Sequence, residues 1–181
     1  MQHVTTTLPE APNAGWADFP CVQIPHRYSF GHVVHYLVES CPFLYVAPNG
    51  RKDPFDHDAD GLDNPEDSVH DVDGGARFDD SEKHVIKDRK QFRKGLKPLN
   101  SGHVGKVEDG FAGNYYLFRA NVKPTMRKGR YAAVAVISRA SGGIVRATCT
   151  CKARALGRCV HVSALLPFVL RHIKTCGKSG K

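Results

Sequence analysis

Cys149, Cys151, Cys159 and His161 fall within thirteen positions of this sequence, in the pattern C-x-C-x7-C-x-H. Thiolates and imidazole suit soft and borderline metal ions, and four such ligands fill the coordination of a tetrahedral ion. A Cys3His set of this kind reads as a closed zinc site, with ligand distances of roughly 2.0–2.3 Å. No position remains for water or substrate, so such an ion would hold structure together without doing chemistry. Thiolate softness argues against magnesium, calcium or manganese. His172 or Cys176 could replace the fourth ligand only by reaching across the helix that follows. Zinc with three thiolates and a neutral imidazole is a net anion. Arg146, Lys152, Arg154 and Arg158 lie close enough in sequence to favour the thiolate forms. They could balance the centre or grip a ligand.

The ligands need elements to carry them. Side chains on a strand repeat every two residues, so "GGIVRATCTC" would put Val145, Ala147, Cys149 and Cys151 on one face. The loop "KARALGR", with Gly157 available for a turn, returns the chain to Cys159 and His161. "VHVSALLPFVLRHI" then reads as a helix with Val160, Ala164, Leu165 and Phe168 on one side, and Pro167 should kink or interrupt it. Upstream, "NYYLFRANVK" alternates Tyr116, Phe118, Ala120 and Val122 against Tyr115, Leu117, Arg119 and Asn121. "RYAAVAVIS" is a further strand, set off by the turn residues Ser141, Gly142 and Gly143, and "GHVGKVED" is a short one. "SFGHVVHYLVES" reads as a helix capped by Ser29, ending before Pro42, with Val33, Val34, Leu37 and Val38 on its apolar face. Its His32 and His35 could share a metal only with a third ligand nearby, so a packing or surface role is expected. "SEKHVIKDRKQFRKGL" is a basic helix ending near Gly95 and Pro98.

The 181 residues have room for one ordinary domain, or a small one plus weakly ordered segments. Their net charge of +8 hides an asymmetry. Residues 1–52 balance, residues 53–82 carry −11, and residues 83–181 carry +19. This divides the chain into an N-terminal helical segment (1–52), an acidic flexible linker (53–82) and a basic region (83–181). The acidic stretch has too little apolar surface to offset its ordering entropy, and it could compete with a polyanion for the neighbouring basic half. A basic half of this density reads as a polyanion-binding surface, the plain alternative being scattered charge for solubility. Candidates for contact are Lys123, Arg127, Lys128, Arg130, Lys152, Arg154 and Arg158. Within the acidic stretch, Asp56, Asp58, Asp60, Gly61 and Asp67 fall at positions 1, 3, 5, 6 and 12 of an EF-hand-like loop. Asp67 at the last position, Asp63 at the eighth and the lack of helical flanks favour a solvated linker over calcium. The start of the chain lacks the basic and apolar stretches of a secretory signal, and no apolar run reaches the ~20 residues of a membrane span. The expected setting is intracellular, with the nucleus as a compatible compartment. There disulfides are not expected, and Cys21, Cys41 and Cys176 read as free thiols.

"CTCKARALGRCVHVSALL", entered from a β-hairpin and left through an apolar helix, resembles the SWIM-type zinc finger, a family defined by C-x-C-x(n)-C-x-H. "ANVKPTMRKGRYAAVAVISRASGGIVRA" resembles the strand pair before the finger in eukaryotic members, and "LNSGHVGKVED" is a fainter echo of the same proteins. The resemblance spans about residues 98–173, most strongly 119–166, with the finger core at 119–173. All four ligand positions match, and Pro167 departs from the pattern. The resemblance implies zinc binding and a role in DNA-associated or protein–protein contacts. It does not fix the process, because such fingers also occur in Mutator-like transposases, Swi/Snf-type ATPases and a ubiquitin-ligase kinase. In eukaryotic members the finger often precedes a lambda-exonuclease-like domain, which the sequence to Lys181 is expected to lack.

The fold expected is α+β: a small hairpin or sheet, a zinc-bound loop and a C-terminal helix, with a helical N-terminal segment and a disordered acidic linker. No nucleophile–base pair and no carboxylate cluster outside the linker suggests catalysis, and no small-molecule substrate is evident. The leading expectation is a non-enzymatic zinc module contacting nucleic acid or a DNA-associated protein. A protein–protein adaptor, or the N-terminal fragment of a nuclease- or transposase-like protein, are the alternatives.

Overall fold

The computed structural model describes residues 15–20, 24–39, 78–87, 90–125, 128–153 and 157–176. Alternating apolar side chains and glycine-bearing turns build an antiparallel sheet. Its strands are β1 (Ala17–Asp18), β2 (Val104–Ala112), β3 (Tyr115–Val122), β4 (Tyr131–Ser138) and β5 (Ile144–Cys149), in the order β1–β2–β3–β4–β5. The helices are α1 (Phe30–Val34), continued by a π-helical turn over His35–Glu39, α2 (Asp80–Lys87), α3 (Lys90–Asn100) and α4 (Val160–Cys176). The expected α+β class, sheet and C-terminal helix are all present. The acidic stretch up to residue 77, with its candidate calcium loop, lies outside the described residues, as do Cys21, Cys41 and the side chain of Cys176.

One face of the sheet makes the core. Tyr116, Phe118, Ala120 and Val122 of β3 and Ala133, Ala135 and Ile137 of β4 share a buried cluster with Val162, Leu165, Leu166 and Val169 of α4. The register explains the sharing: Phe118 lies opposite Ala135, a large side chain meeting a small one, and the small pair Ala120 and Ala133 leaves room beside them for the side chains of α4. α4 packs on β2 to β5 and also against α1 and α3. Phe30, Phe78 and Phe92 stack together with centroids 5.4–6.1 Å apart, tying α1 to the start of α2 and to α3. No described helix is long and apolar enough to cross a membrane.

Several elements differ from their sequence reading. The strand opening "GHVGKVED" is nine residues long and runs on to Ala112. The basic helix is two helices, α2 and α3, and α3 continues through Pro98 to Asn100. α2 takes in the last three residues of the acidic block. Asp79 caps it, accepting from the Glu82 N–H (2.9 Å) while Glu82 accepts from the Asp79 N–H (3.1 Å), a reciprocal capping box. Glu82 also pairs with Lys174 near the end of α4, so residues 78–82 belong to the packed unit. Ser29 is in the extended N-cap conformation, but its hydroxyl meets His32 Nδ1 at 3.1 Å rather than a helix N–H. Val145 does not share a face with Ala147 and Cys149. The β4–β5 register jumps between Val136↔Arg146 and Ile137↔Ile144, which leaves Val145 as a bulged residue, 37% exposed.

Pro167 does not interrupt α4, which runs unbroken for seventeen residues. A proline lacks the N–H that would bond to the carbonyl four residues earlier, here Ser163. Gly95 of α3 packs directly on that carbonyl: a Cβ built on Gly95 would lie 2.3 Å from the Ser163 oxygen. The helices therefore meet where α4 has lost a hydrogen bond and α3 has no side chain. Gly95→Ala should force α3 off α4 and lower the unfolding free energy by about 1–3 kcal/mol, the usual cost of overpacking. Thermal or denaturant unfolding checks this, and an unchanged midpoint would contradict the packing.

Candidate metal centre

Cys149 is the last residue of β5, and Cys151 lies two residues beyond it in a turn, so the strand delivers one ligand and the turn the other. Cys159 immediately precedes α4, and His161 sits in the first turn of that helix. The ligand atoms of all four residues lie within 4.8 Å of one another. Cys149 Sγ is 3.7 Å and Cys159 Sγ 3.8 Å from His161 Nδ1. A sulfur and a nitrogen at two corners of a tetrahedron, ~2.3 and ~2.1 Å from its centre, are separated by about 3.6 Å. The donors are thus already spaced for one ion held by four ligands. Among the described residues this is the one such group. His32 and His35 do not join it, and His172 stacks on Phe19 with centroids 4.8 Å apart.

The surrounding backbone suits thiolates. The Cys151 N–H donates to the Cys149 sulfur, the Ala153 N–H to the Cys151 sulfur, and the Val162 N–H to the Cys159 sulfur. In the last pair Cys159 stands where a serine or aspartate would cap a helix, so its sulfur meets the positive end of α4. A hydrogen bond from Cys149, then those from His161 and Val162, hold the Cys159 thiol down to about 4 against the opposing effect of burial. The Cys149 thiol is pushed up by donating to Cys159 and by burial, and burial raises the Cys151 thiol. The His161 ring, 6% exposed, lies against Tyr131 with centroids 4.6 Å apart. Its Nδ1 faces the sulfurs, and its Nε2 finds no hydrogen-bond partner among the described residues. Tyr131 packing therefore fixes the imidazole, in place of the carboxylate or carbonyl that often orients a metal-bound histidine.

Tyr36, which the sequence did not mark, braces the loop from outside. Its hydroxyl accepts from the Ala147 N–H (2.8 Å) and donates to the Gly157 carbonyl (3.2 Å). Arg158 Nε donates to the Tyr36 carbonyl (2.8 Å), and the guanidinium lies 5.2 Å from the Tyr36 ring centre. Gly157 has φ +60°, and a Cβ there would lie 2.1 Å from the Ala147 carbonyl oxygen. Only glycine lets the returning chain cross β5 this closely. One tyrosine thus joins the π-helical turn after α1, β5 and the loop that carries Cys159.

The other residues expected to contact nucleic acid divide. Lys123, Lys128, Arg130 and Lys152 are exposed, Arg158 is engaged by Tyr36 as above, and Arg127 and Arg154 lie outside the described residues. No family model matches the chain, and neither the curated proteins nor the solved structures provide a match.

Two raised thiols beside one lowered thiol give the site a definite proton inventory. Near pH 8 the metal-free cluster keeps protons on Cys149 and Cys151, while Cys159 is already a thiolate. Metal binding needs all three ionised. Zinc uptake should therefore release about two protons per ion from sulfur, and affinity should fall about 100-fold per unit drop in pH. Calorimetric titration in buffers of different ionisation enthalpy counts these protons. Release of none, or of three, would contradict the assignment.

Proposed function

We propose that the chain is a non-enzymatic zinc module of the SWIM type, contacting nucleic acid through its basic half at an intracellular, nuclear site of action. The observation that carries the zinc reading is the convergence of Cys149, Cys151, Cys159 and His161 within 4.8 Å. Three sulfurs and one imidazole nitrogen favour zinc over hard cations. The order of parts supports the SWIM comparison: an antiparallel strand pair, a C-x-C at its end, a short loop, then C-x-H opening an apolar helix. A closed set of four leaves the ion no open position, so its role is to join β5 to α4. The nucleic-acid reading rests on the +19 of residues 83–181 and on exposed Lys123, Lys128, Arg130 and Lys152 around the loops next to the centre.

Elemental analysis and a salt-dependent titration with labelled DNA test the two halves separately. The reconstituted chain should hold about one zinc, lost in Cys149→Ser, and should bind DNA with an affinity that falls steeply between about 50 and 200 mM salt. No zinc after reconstitution, or unchanged zinc in the variant, would end the zinc reading. Full zinc without DNA binding at low salt would end the nucleic-acid reading and leave a protein adaptor.

A further inference from the structure

The helices cover one face of the sheet, and the other face holds a groove along the outer strand β5. Its lining includes Arg146, Thr148 and Thr150 of the β5 segment, Ala132 and Val134 of β4, and Arg158 across from them. The register puts Arg146 and Thr148 opposite Val136 and Val134, on the side away from the core formed by Ala133, Ala135, Ala147 and Cys149. Among the described residues that line the groove there is no carboxylate. Arg146 is exposed, and the Arg158 guanidinium lies 5.2 Å from the ring centre of Tyr36 at the edge of the groove. Thr150 Oγ1 accepts from the Ala132 N–H at 3.0 Å, so its hydroxyl proton is left to donate outward. Guanidinium and hydroxyl donors over a small apolar floor, without an acceptor of fixed negative charge on a side chain, suit an anion with several oxygens.

The spacing narrows the ligand further. Alternate residues of a strand present side chains on one face about 6.8 Å apart, so Arg146, Thr148 and Thr150 form a row of contacts rather than a single cup. A row fits a ligand whose negative groups repeat along its length. The geometry points to this groove as the seat of a phosphodiester backbone, with Arg146 as its main charged contact. This rests on the nucleic-acid reading above and adds to it a particular surface, centred on Arg146 and not on the loop lysines. Cys149, one of the candidate metal ligands, also lines the groove, so the arginines would partly offset the charge of a filled metal centre, and a bound ligand would meet only the surplus.

Labelled single-stranded and duplex oligonucleotides, titrated into the zinc-loaded full chain at several salt concentrations, test this. Three variants are compared with the unaltered protein: Arg146→Gln, Thr148→Glu, and Lys94→Gln as a control that removes one exposed charge from α3. Arg146→Gln should weaken binding about tenfold at low salt and lower the salt slope by about one. Thr148→Glu should weaken it at least as much, through repulsion, while Lys94→Gln should change it less than about twofold. The oligonucleotide form with the larger loss is the one the groove holds. If the unaltered chain binds but Arg146→Gln and Thr148→Glu behave like Lys94→Gln, the groove is overturned while the nucleic-acid reading stands. If the unaltered chain binds neither oligonucleotide, both are overturned.

Discussion

Four donor atoms from two chain segments meet within 4.8 Å, and the elements around them are arranged to let them. β5 ends at the first ligand, and α4 begins between the third and fourth. Gly157 lets the return path cross the Ala147 carbonyl, Tyr36 ties that crossing to the π-helical turn that follows α1, and the Tyr131 ring packs on the imidazole. Structural zinc is worth on the order of 10 kcal/mol in small domains, comparable to the whole net stability of an ordinary one. A filled centre would therefore dominate local stability at the β5–α4 junction. It need not hold the whole fold, because Leu165, Leu166 and Val169 remain buried against the sheet and α3 in any case.

The same helix has a second fixed point one turn further on. Pro167 strips the Ser163 carbonyl of its partner inside α4, and Gly95 brings α3 against that carbonyl. Glu82 and Lys174 close the far end, with Lys174 also lying 5.2 Å from the Phe78 ring centre. α4 thus carries candidate ligands at its start and is held in its middle by a backbone contact and near its end by an ion pair. Among the described residues, α4 packs on one face of the sheet, and Arg146 on β5 is exposed.

What could be read from sequence follows how local the physics is. The metal quartet was legible because cysteine spacing and chemistry depend on a few residues. The strands of the Tyr115–Val122 and Tyr131–Ser138 hairpin were legible because alternation survives burial of one face. Contacts across long separations were not. Tyr36 meets Ala147 over 111 residues, and nothing in "HVVHYLVES" marks that tyrosine as a brace. The D-x-x-E at Asp79–Glu82 is a recognisable capping signal, but its charge merged with the acidic stretch before it. Pro167 was read as a helix breaker because its partner, Gly95, is 72 residues earlier in the chain. The bulge at Val145 shifts one residue out of phase, which an alternation rule cannot anticipate.

The central claim is that an ion at Cys149, Cys151, Cys159 and His161 clamps the end of β5 to the start of α4. Amide hydrogen exchange on the zinc-loaded chain, before and after chelation, addresses it directly. Exchange should accelerate by about two orders of magnitude or more over residues 147–151 and 157–163, while β2 and β3 change little. Unaltered protection in those two segments after complete removal of the metal would contradict the account.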